Sequence, residues 1–220
     1  MTFTVVWEGL DGVGKTTLMA ETSKILGTWG LRVISYKTPS DTPTGRFARD
    51  IGNAESTDPL TRMLLFLANT SADSSVMKKA IAREKPDLLF IDRYYLCSLV
   101  YGLALIEVTT PFLKASELLD DWLSLVEKTG ERVFLKPNLY VMVTADEPQR
   151  LVRLRLKEEV EDVRYALNQQ LQRGVLKLYQ LFAQRSGEVI WVDNRENQLV
   201  ANASAVAEKI MERMKASRSR

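Results

Sequence analysis

Residues 3–17 read FTVVWEGLDGVGKTT, a run of apolar and β-branched residues followed by a glycine-rich turn that ends in a lysine and two threonines. Gly9-Leu10-Asp11-Gly12-Val13-Gly14-Lys15-Thr16 fits the pattern G-x-x-x-x-G-K-[ST] at every fixed position. A turn that only joined a strand to a helix would not need each of those residues. Glycine frees backbone N–H groups to converge on phosphate oxygens, and the positive end of the following helix favours an anion. Gly9 to Thr17 therefore form a candidate cradle for a nucleoside triphosphate such as ATP. Lys15 is expected to reach the outer phosphates and Thr16 to offer its hydroxyl to Mg²⁺.

Outward from this turn, strand and helix patterns alternate. TFTVVWE reads as a strand and Lys15 to Thr28 as a helix, with Leu18, Ile25 and Leu26 on one face. LRVISY reads as a second strand, followed by a loop from Thr38 to Gly45 rich in Pro, Thr, Asp and Gly. A long helix is expected from Asp58 to about Glu84, then the apolar strand DLLFID, then helices over Tyr94 to Leu105 and Pro111 to Lys128. The strand NLYVMVT precedes a helix opening at ADEPQRL. Asp162 to Gln184 reads as one helix, EVIWVD as the last strand and Leu199 to Lys215 as the closing helix. Strands separated by helices imply an α/β fold, a parallel sheet covered on both faces. No repeat, low-complexity segment or linker divides the 220 residues, and their number suits one domain, 1–220.

Composition narrows the chemistry. The chain holds one cysteine, Cys97, and no histidine, so an internal disulfide, a cysteine cluster for a metal and the commonest general base are all excluded. Carboxylates, lysines, arginines or a bound ion must do the work. With 30 basic and 28 acidic side chains, the charge is too balanced to argue for a nucleic-acid partner. No apolar run approaches the ~18 residues of a membrane span. The apolar start lacks a basic leader and a small-residue cleavage site, which makes the cytoplasm the expected location.

Two further stretches carry chemistry. In LLFIDRYY, Asp92 closes an apolar strand in the manner of the second Mg²⁺-associated carboxylate of triphosphate-binding proteins, and Arg93 follows at the carboxyl end, where ligands enter an open parallel sheet. No Asn-Lys-x-Asp run for guanine is present, which argues against a GTP switch. In QRLVRLRLKEEVEDVR, Arg150, Arg153, Arg155 and Lys157 crowd together. They read either as a basic helix face answered by Glu158, Glu159, Glu161 and Asp162, or as a lid whose guanidinium forks neutralise a phosphoryl group in transfer.

GLDGVGKTT, LLFLAN and DRYYLCSLVYG together resemble the thymidylate kinase family, which phosphorylates dTMP with ATP, and the order and spacing cover nearly the whole chain. The resemblance implies a P-loop NTPase fold with a five-stranded parallel sheet, an arginine-rich lid over about residues 153–165, and a homodimer. It implies catalytic roles for Asp11, Lys15, Arg93 and one lid arginine, Arg153 or Arg155. Asp11 would stand near the acceptor nucleotide, Phe66 would stack on its base, Arg93 would meet its phosphate and Tyr101 would lie beside its sugar. Pro39 corresponds to the proline of the family's Arg-Glu-Pro loop, Arg49 keeps the family's spacing from Gly45, and Gly12 resembles the bacterial type in which the lid supplies the catalytic arginine.

The departures gather where the acceptor would bind. Thr70 stands where the family has arginine, Gly102 where it has glutamine, and Lys37-Thr38 where it has Arg-Glu. Thr70, nearby residues or water would then have to read the base. Arg46 or Arg62 could stand in for the missing arginine, and Thr70→Arg with Gly102→Gln should restore discrimination for dTMP. A related kinase with another acceptor, such as a deoxynucleoside, and an ATP-binding module without transfer remain alternatives.

Overall fold

The computed structural model describes residues 2–156 and 163–218. Its elements run β1 (Phe3–Gly9), α1 (Lys15–Thr28), β2 (Val33–Lys37), α2 (Pro43–Gly52), α3 (Pro59–Glu84), β3 (Leu88–Asp92), α4 (Tyr95–Thr109), α5 (Ala115–Thr129), β4 (Leu139–Thr144), α6 (Glu147–Arg155), α7 (Val163–Leu167), α8 (Gln169–Arg185), β5 (Val189–Asp193) and α9 (Leu199–Arg218). The strands pair in parallel in the order β2-β3-β1-β4-β5, the five-stranded sheet expected.

Alternation along the central strands sends side chains to two cores. Val5 and Trp7 of β1, Leu88 and Phe90 of β3, and Val141 and Val143 of β4 pack with residues of α1 and α9. Val6, Leu89, Ile91, Tyr140 and Met142 face the other way, onto α3, α4, α5 and α8. Trp7 is fully buried and meets Phe90 edge-on at 5.3 Å between centroids. The register that accompanies this contact pairs Trp7 with Asp92. The end of β3 is thereby brought beside the turn that leaves β1, where strand order diverges and parallel sheets admit ligands.

Three sequence expectations need correction. The loop over Thr38 to Gly45 ends early, because α2 begins at Pro43, with the Thr42 hydroxyl accepting a hydrogen bond from the Gly45 N–H. Its buried residues, Gly45, Ala48 and Gly52, are small, and its larger apolar residues Phe47 and Ile51 are exposed. Between α4 and α5, residues Pro111 to Lys114 lie outside both helices, whereas α4 continues to Thr109. The helix expected from Asp162 to Gln184 is broken at Asn168, whose side-chain oxygen accepts from the Leu171 N–H and starts α8 afresh. Asp162, like Lys157, Glu158, Glu159 and Glu161, lies outside the described residues, as does the middle of the expected lid.

Candidate active site

The turn after β1 is held open by contacts that leave no room for larger residues. Gly14 has φ 82°, and a β-carbon there would stand 2.5 Å from the Asn194 amide nitrogen. At Gly12, φ 84°, a β-carbon would strike the Arg150 carbonyl and Leu154 of α6. A larger residue at 12 would therefore push the arginine-bearing helix off the loop. The Val13 carbonyl, behind the turn, accepts hydrogen bonds from Asn194 Nδ2 at 2.9 Å and Arg153 Nη1 at 3.1 Å.

At the start of α1, Lys15 Nζ lies 3.1 Å from Asp92 Oδ1, and the Thr16 hydroxyl donates to Asp92 Oδ2 at 2.7 Å. Burial alone would raise the Asp92 pKa, but the Lys15 ammonium and the Thr16 hydroxyl outweigh it and hold it below the usual carboxylate value. Leu10, Asp11, Gly12, Gly14, Lys15, Thr16 and Thr17 line one cavity together with Arg153 and the segment Asn194–Asn197. Gly9 ends the strand and Val13 is buried, so these two shape the cradle from behind.

A second cavity opens on the opposite side of Asp11. Its lining includes Asp11, Thr38, Pro39, Arg62, Phe66, Asn69, Thr70, Arg93, Ser98, Tyr101 and Tyr165. Arg93 holds φ 67°, a left-handed conformation that costs a non-glycine residue roughly 1–2 kcal/mol and persists where the surroundings over-determine it. They do so here. The Arg93 N–H donates to the Trp7 carbonyl, the Arg93 carbonyl accepts from the Thr38 hydroxyl, and the next N–H, of Tyr94, donates to Glu8. The guanidinium reaches Asp11 Oδ1 at 2.5 Å and Cys97 Sγ at 3.0 Å, and its carbon stands 5.4 Å from the Tyr101 ring centre. Burial disfavours the Arg93 cation, yet the Asp11 carboxylate more than answers it, so Arg93 stays charged. Tyr101 donates to the other oxygen of Asp11 at 3.3 Å.

Not every expected residue reaches these cavities. Arg155 is exposed and lines neither, whereas Arg153 lines the first with its guanidinium joined to the carbonyls of Val13 and Asn194. Arg49 lies behind the loop, donating to the carbonyls of Pro39 and Ser40 and pairing with Asp41 at 2.7 Å. Asp92 is buried beneath Lys15 and is absent from the lining of both cavities. Thr70 lines the second cavity, but its hydroxyl donates to the Phe66 carbonyl at 2.8 Å, leaving only acceptor capacity for a ligand.

Four residues have places that the sequence did not disclose, and of these it named only Arg150, as one member of the basic run. Arg150, 2% exposed, ties the turn to α7 by donating to the carbonyls of Asp11 and Ala166. Asn194, just after β5, ties the turn to that strand instead, its Nδ2 donating to the Val13 carbonyl. Asp73, fully buried on α3, accepts from the Tyr36 hydroxyl and from the Ser40 hydroxyl and N–H, which fixes the loop carrying Pro39. The signal for Asp73 was a carboxylate on the apolar face of a helix.

Glu8 is the fourth. It lies in β1 on the face toward α4 and α8, fully buried, accepting from the Tyr94 N–H at 3.0 Å and the Tyr179 hydroxyl at 2.9 Å. Burial pushes its carboxyl up from 4.5 to about 7, with Arg93 and the two hydrogen bonds opposing the rise. Since the folded-state value exceeds the unfolded one, the native state binds the extra proton between these limits, and stability falls as pH rises through the interval. The expected loss is about 3 kcal/mol between pH 4.5 and pH 7 on the 1.36 kcal/mol-per-unit scale, and Glu8→Gln should lack it. Urea unfolding of both proteins across that range checks this. Parallel stability profiles would refute it.

A family model described as thymidylate kinase matches residues 7–203. A probable thymidylate kinase of Sulfurisphaera tokodaii is 34% identical over 97 residues, which cover 44% of this chain and 47% of that protein. A thymidylate kinase of Desulforudis audaxviator is 32% identical over 102 residues, with 44% and 45% covered. The chain thus spans about half the length of these two relatives. The thymidylate kinase of Caldicellulosiruptor saccharolyticus is 25% identical over 185 residues, covering 81% of this chain and 83% of its own. Among solved structures, the thymidylate kinase of Candida albicans, described as having a broad substrate specificity, superimposes with a TM-score of 0.68 at 20% identity over 99% of this chain and 92% of that one. At that identity the likeness concerns the fold.

Proposed function

The chain belongs to the thymidylate kinase family, and from that premise we propose that it transfers the γ-phosphoryl group of ATP to a nucleoside monophosphate, dTMP in the first place. The observation that carries this reading is that Asp11 lines both cavities, so that the triphosphate cradle and the cavity of Arg93, Phe66 and Tyr101 meet at a single residue. A sensor of ATP has no use for the second cavity. The whole chain then works as one P-loop kinase domain, with a lid over about residues 153–165.

In this reading Gly9 to Thr17 bind the phosphates of ATP, Lys15 neutralises the outer ones, and Arg93, positioned by Asp11, meets the acceptor phosphate. Phe66 and Tyr101 receive the base and sugar, and Pro39 closes the cavity beside them. Arg153 acts from the lid helix, while Arg49 supports the Pro39 loop. The hard oxygen donors Thr16 and Asp92, already joined beside the cradle, fit Mg²⁺, which takes few protein ligands and completes its shell with phosphates and water; it would neutralise phosphate charge there. An acceptor phosphate is anionic at neutral pH and needs no strong base, which suits a chain without histidine. Transfer is direct and in line, with no phosphorylated enzyme.

A coupled assay of ADP formation against dTMP, dUMP, dCMP and thymidine tests the proposal. Activity with dTMP exceeding that with thymidine supports it. ATP binding without turnover of any of the four would sink it, and so would accumulation of phosphoenzyme with ATP alone.

A homodimer in the cytoplasm completes the proposal. Phe47 and Ile51 on α2 and Leu60 and Leu64 on α3 are exposed apolar side chains on two helices that pack together, a surface suited to a second copy. Among the described residues no helix is long and apolar enough to cross a membrane. Light scattering that gives the mass of one chain would remove the dimer.

The packing around Gly102 revises the expectation for Gly102→Gln. A β-carbon there would lie 2.4–2.6 Å from three atoms of the Met63 side chain, one of them its own Cβ. The substitution should therefore destabilise the fold by about 1–3 kcal/mol through overpacking, against the roughly 1 kcal/mol a helix gains from losing glycine. Discrimination for dTMP should not improve. An unchanged urea midpoint together with a higher dTMP-to-dCMP ratio of kcat/KM would refute this.

A further inference from the structure

A third cavity, of about 710 Å³, opens at the other end of the sheet and shares no residue with the two described above. The triphosphate cradle and Arg93 follow the ends of β1 and β3. This cavity is lined instead from the segments that leave α5 and α8 and lead into the starts of β4 and β5. Four aromatic side chains face it in two pairs of tilted rings. Tyr95 and Phe134 stand 5.3 Å apart between centroids, and Tyr140 and Phe182 stand 4.8 Å apart. Its size and aromatic lining are those of a small-molecule site.

The polar groups among these rings form a relay whose direction is fixed. The Tyr95 hydroxyl donates to Glu127 Oε1 at 3.1 Å, so its single proton is engaged. Tyr140 must then be the donor in the 3.3 Å contact between the two hydroxyls. Tyr95 and Tyr140 are 3% and 5% exposed, and burial keeps both phenols neutral. What the relay leaves open is acceptor capacity, on the Tyr140 oxygen and on the second oxygen of Glu127. Among the described residues Glu127 forms no ion pair. The neighbouring cations are placed elsewhere, since Arg185 pairs with Asp120 while Lys128 and Lys136 are exposed at the rim.

We propose that this cavity binds an organic cation, a protonated amine carried on an aromatic or alkyl body. The rings shelter the body and attract its charge, Tyr140 and Glu127 accept its N–H groups, and the carboxylate supplies the counter-charge. An anion of the same shape would meet the negative faces of the rings and a row of acceptors, and a neutral analogue would leave Glu127 without a cation. The inference stands apart from the proposed kinase activity, because no group of the triphosphate or acceptor cavity takes part in it.

Calorimetric titration of the whole chain at pH 7 with 2-phenylethylammonium, phenylacetate and 2-phenylethanol tests it. The ammonium ion should bind at one site with a Kd of about 1 mM or tighter, and the other two at least about 10-fold more weakly. Glu127 is exposed, so Glu127→Gln keeps the shape of the side chain without disturbing the core; it should weaken the ammonium ion to the level of the alcohol. Tyr140→Phe, which removes the buried acceptor, should weaken it by about 3- to 10-fold. Where Tyr140→Phe shifts the unfolding midpoint, Glu127→Gln still decides. The absence of saturable binding up to about 10 mM would overturn the proposal. Tighter binding of phenylacetate would overturn it as well, by making Lys128 and Lys136 the groups that read the ligand. Ammonium binding that Glu127→Gln leaves unchanged would place the ion at another site and end the assignment.

Discussion

Lys15→Ala should lower turnover by about 10²-fold or more with every acceptor, since the outer phosphates of ATP lose the cation that faces them in the transition state. The structure adds a second consequence. Lys15 is 7% exposed, and Asp92, with which it pairs at 3.1 Å, is 1% exposed. Removing one partner of a buried pair leaves an uncompensated charge, at a cost of about 3–5 kcal/mol. In the variant the burial that Lys15 formerly outweighed acts on Asp92 with less opposition, so the Asp92 pKa should rise from its lowered native position. The lowered native value stabilises the fold above the unfolded carboxylate value, and the variant forfeits part of that contribution. The stability deficit should be largest at neutral pH and shrink toward pH 4. Lys15→Ala combined with Asp92→Asn should recover stability but not turnover. Urea unfolding beside a steady-state assay checks both, and a double variant that regained turnover would show that Lys15 acts through folding alone.

That double consequence marks the boundary of what the sequence could disclose. The phosphate cradle is a local object, since its glycines, lysine and hydroxyls follow one another over nine residues, and their spacing carries the chemistry. The five strands were legible for a similar reason. β1, β3 and β4 are apolar on both faces and bounded by turn residues, so each reads as a buried parallel strand without reference to its neighbours. What escaped were contacts between residues distant in the chain. Arg150 in a basic run looks like its neighbours Arg153 and Arg155, yet one is buried against the Asp11 and Ala166 carbonyls, one holds the Val13 carbonyl and one is exposed. Helical rotation sorted them, and the pattern of charges did not reveal where each would point. Glu8 was hidden by its strand, because a single charged residue in β1 is no anomaly until Tyr94 and Tyr179 are seen to converge on it.

The acceptor half shows the same limit in another form. Thr70 and Gly102 were visible as departures, but whether the lost groups could simply be put back depended on Met63 and on the Phe66 carbonyl, which are contacts of packing. Arg62 was one of two arginines open to the role on sequence grounds. The fold distinguishes them, since Arg62 lines the cavity beside Phe66 and under Tyr165 of α7, while Arg46 is exposed on α2 and lines no part of it.

Arg93→Ala should divide from Lys15→Ala along the same line as the two cavities. Arg93 lines the acceptor cavity only, so its removal should raise the KM for the acceptor and lower kcat by about 10²-fold, with ATP affinity near wild type. Alanine at this position keeps the left-handed φ of 67° and gains nothing in strain, while the Asp11 carboxylate loses the guanidinium 2.5 Å away. Arg93→Lys restores a charge without the fork that spans Asp11 and Cys97, and should recover part of kcat but little of the acceptor KM. Arg93→Gly relieves the backbone and should be more stable than the alanine variant by about 1 kcal/mol, yet no more active. The ordering separates positioning from folding: if activity among the three followed stability, Arg93 would matter as a turn residue. Titration of ATP into each variant, set beside acceptor saturation curves, decides it. An equal loss of ATP affinity in Arg93→Ala and Lys15→Ala would mean that Asp11, shared by both cavities, couples them so tightly that donor and acceptor cannot be assigned to separate sides.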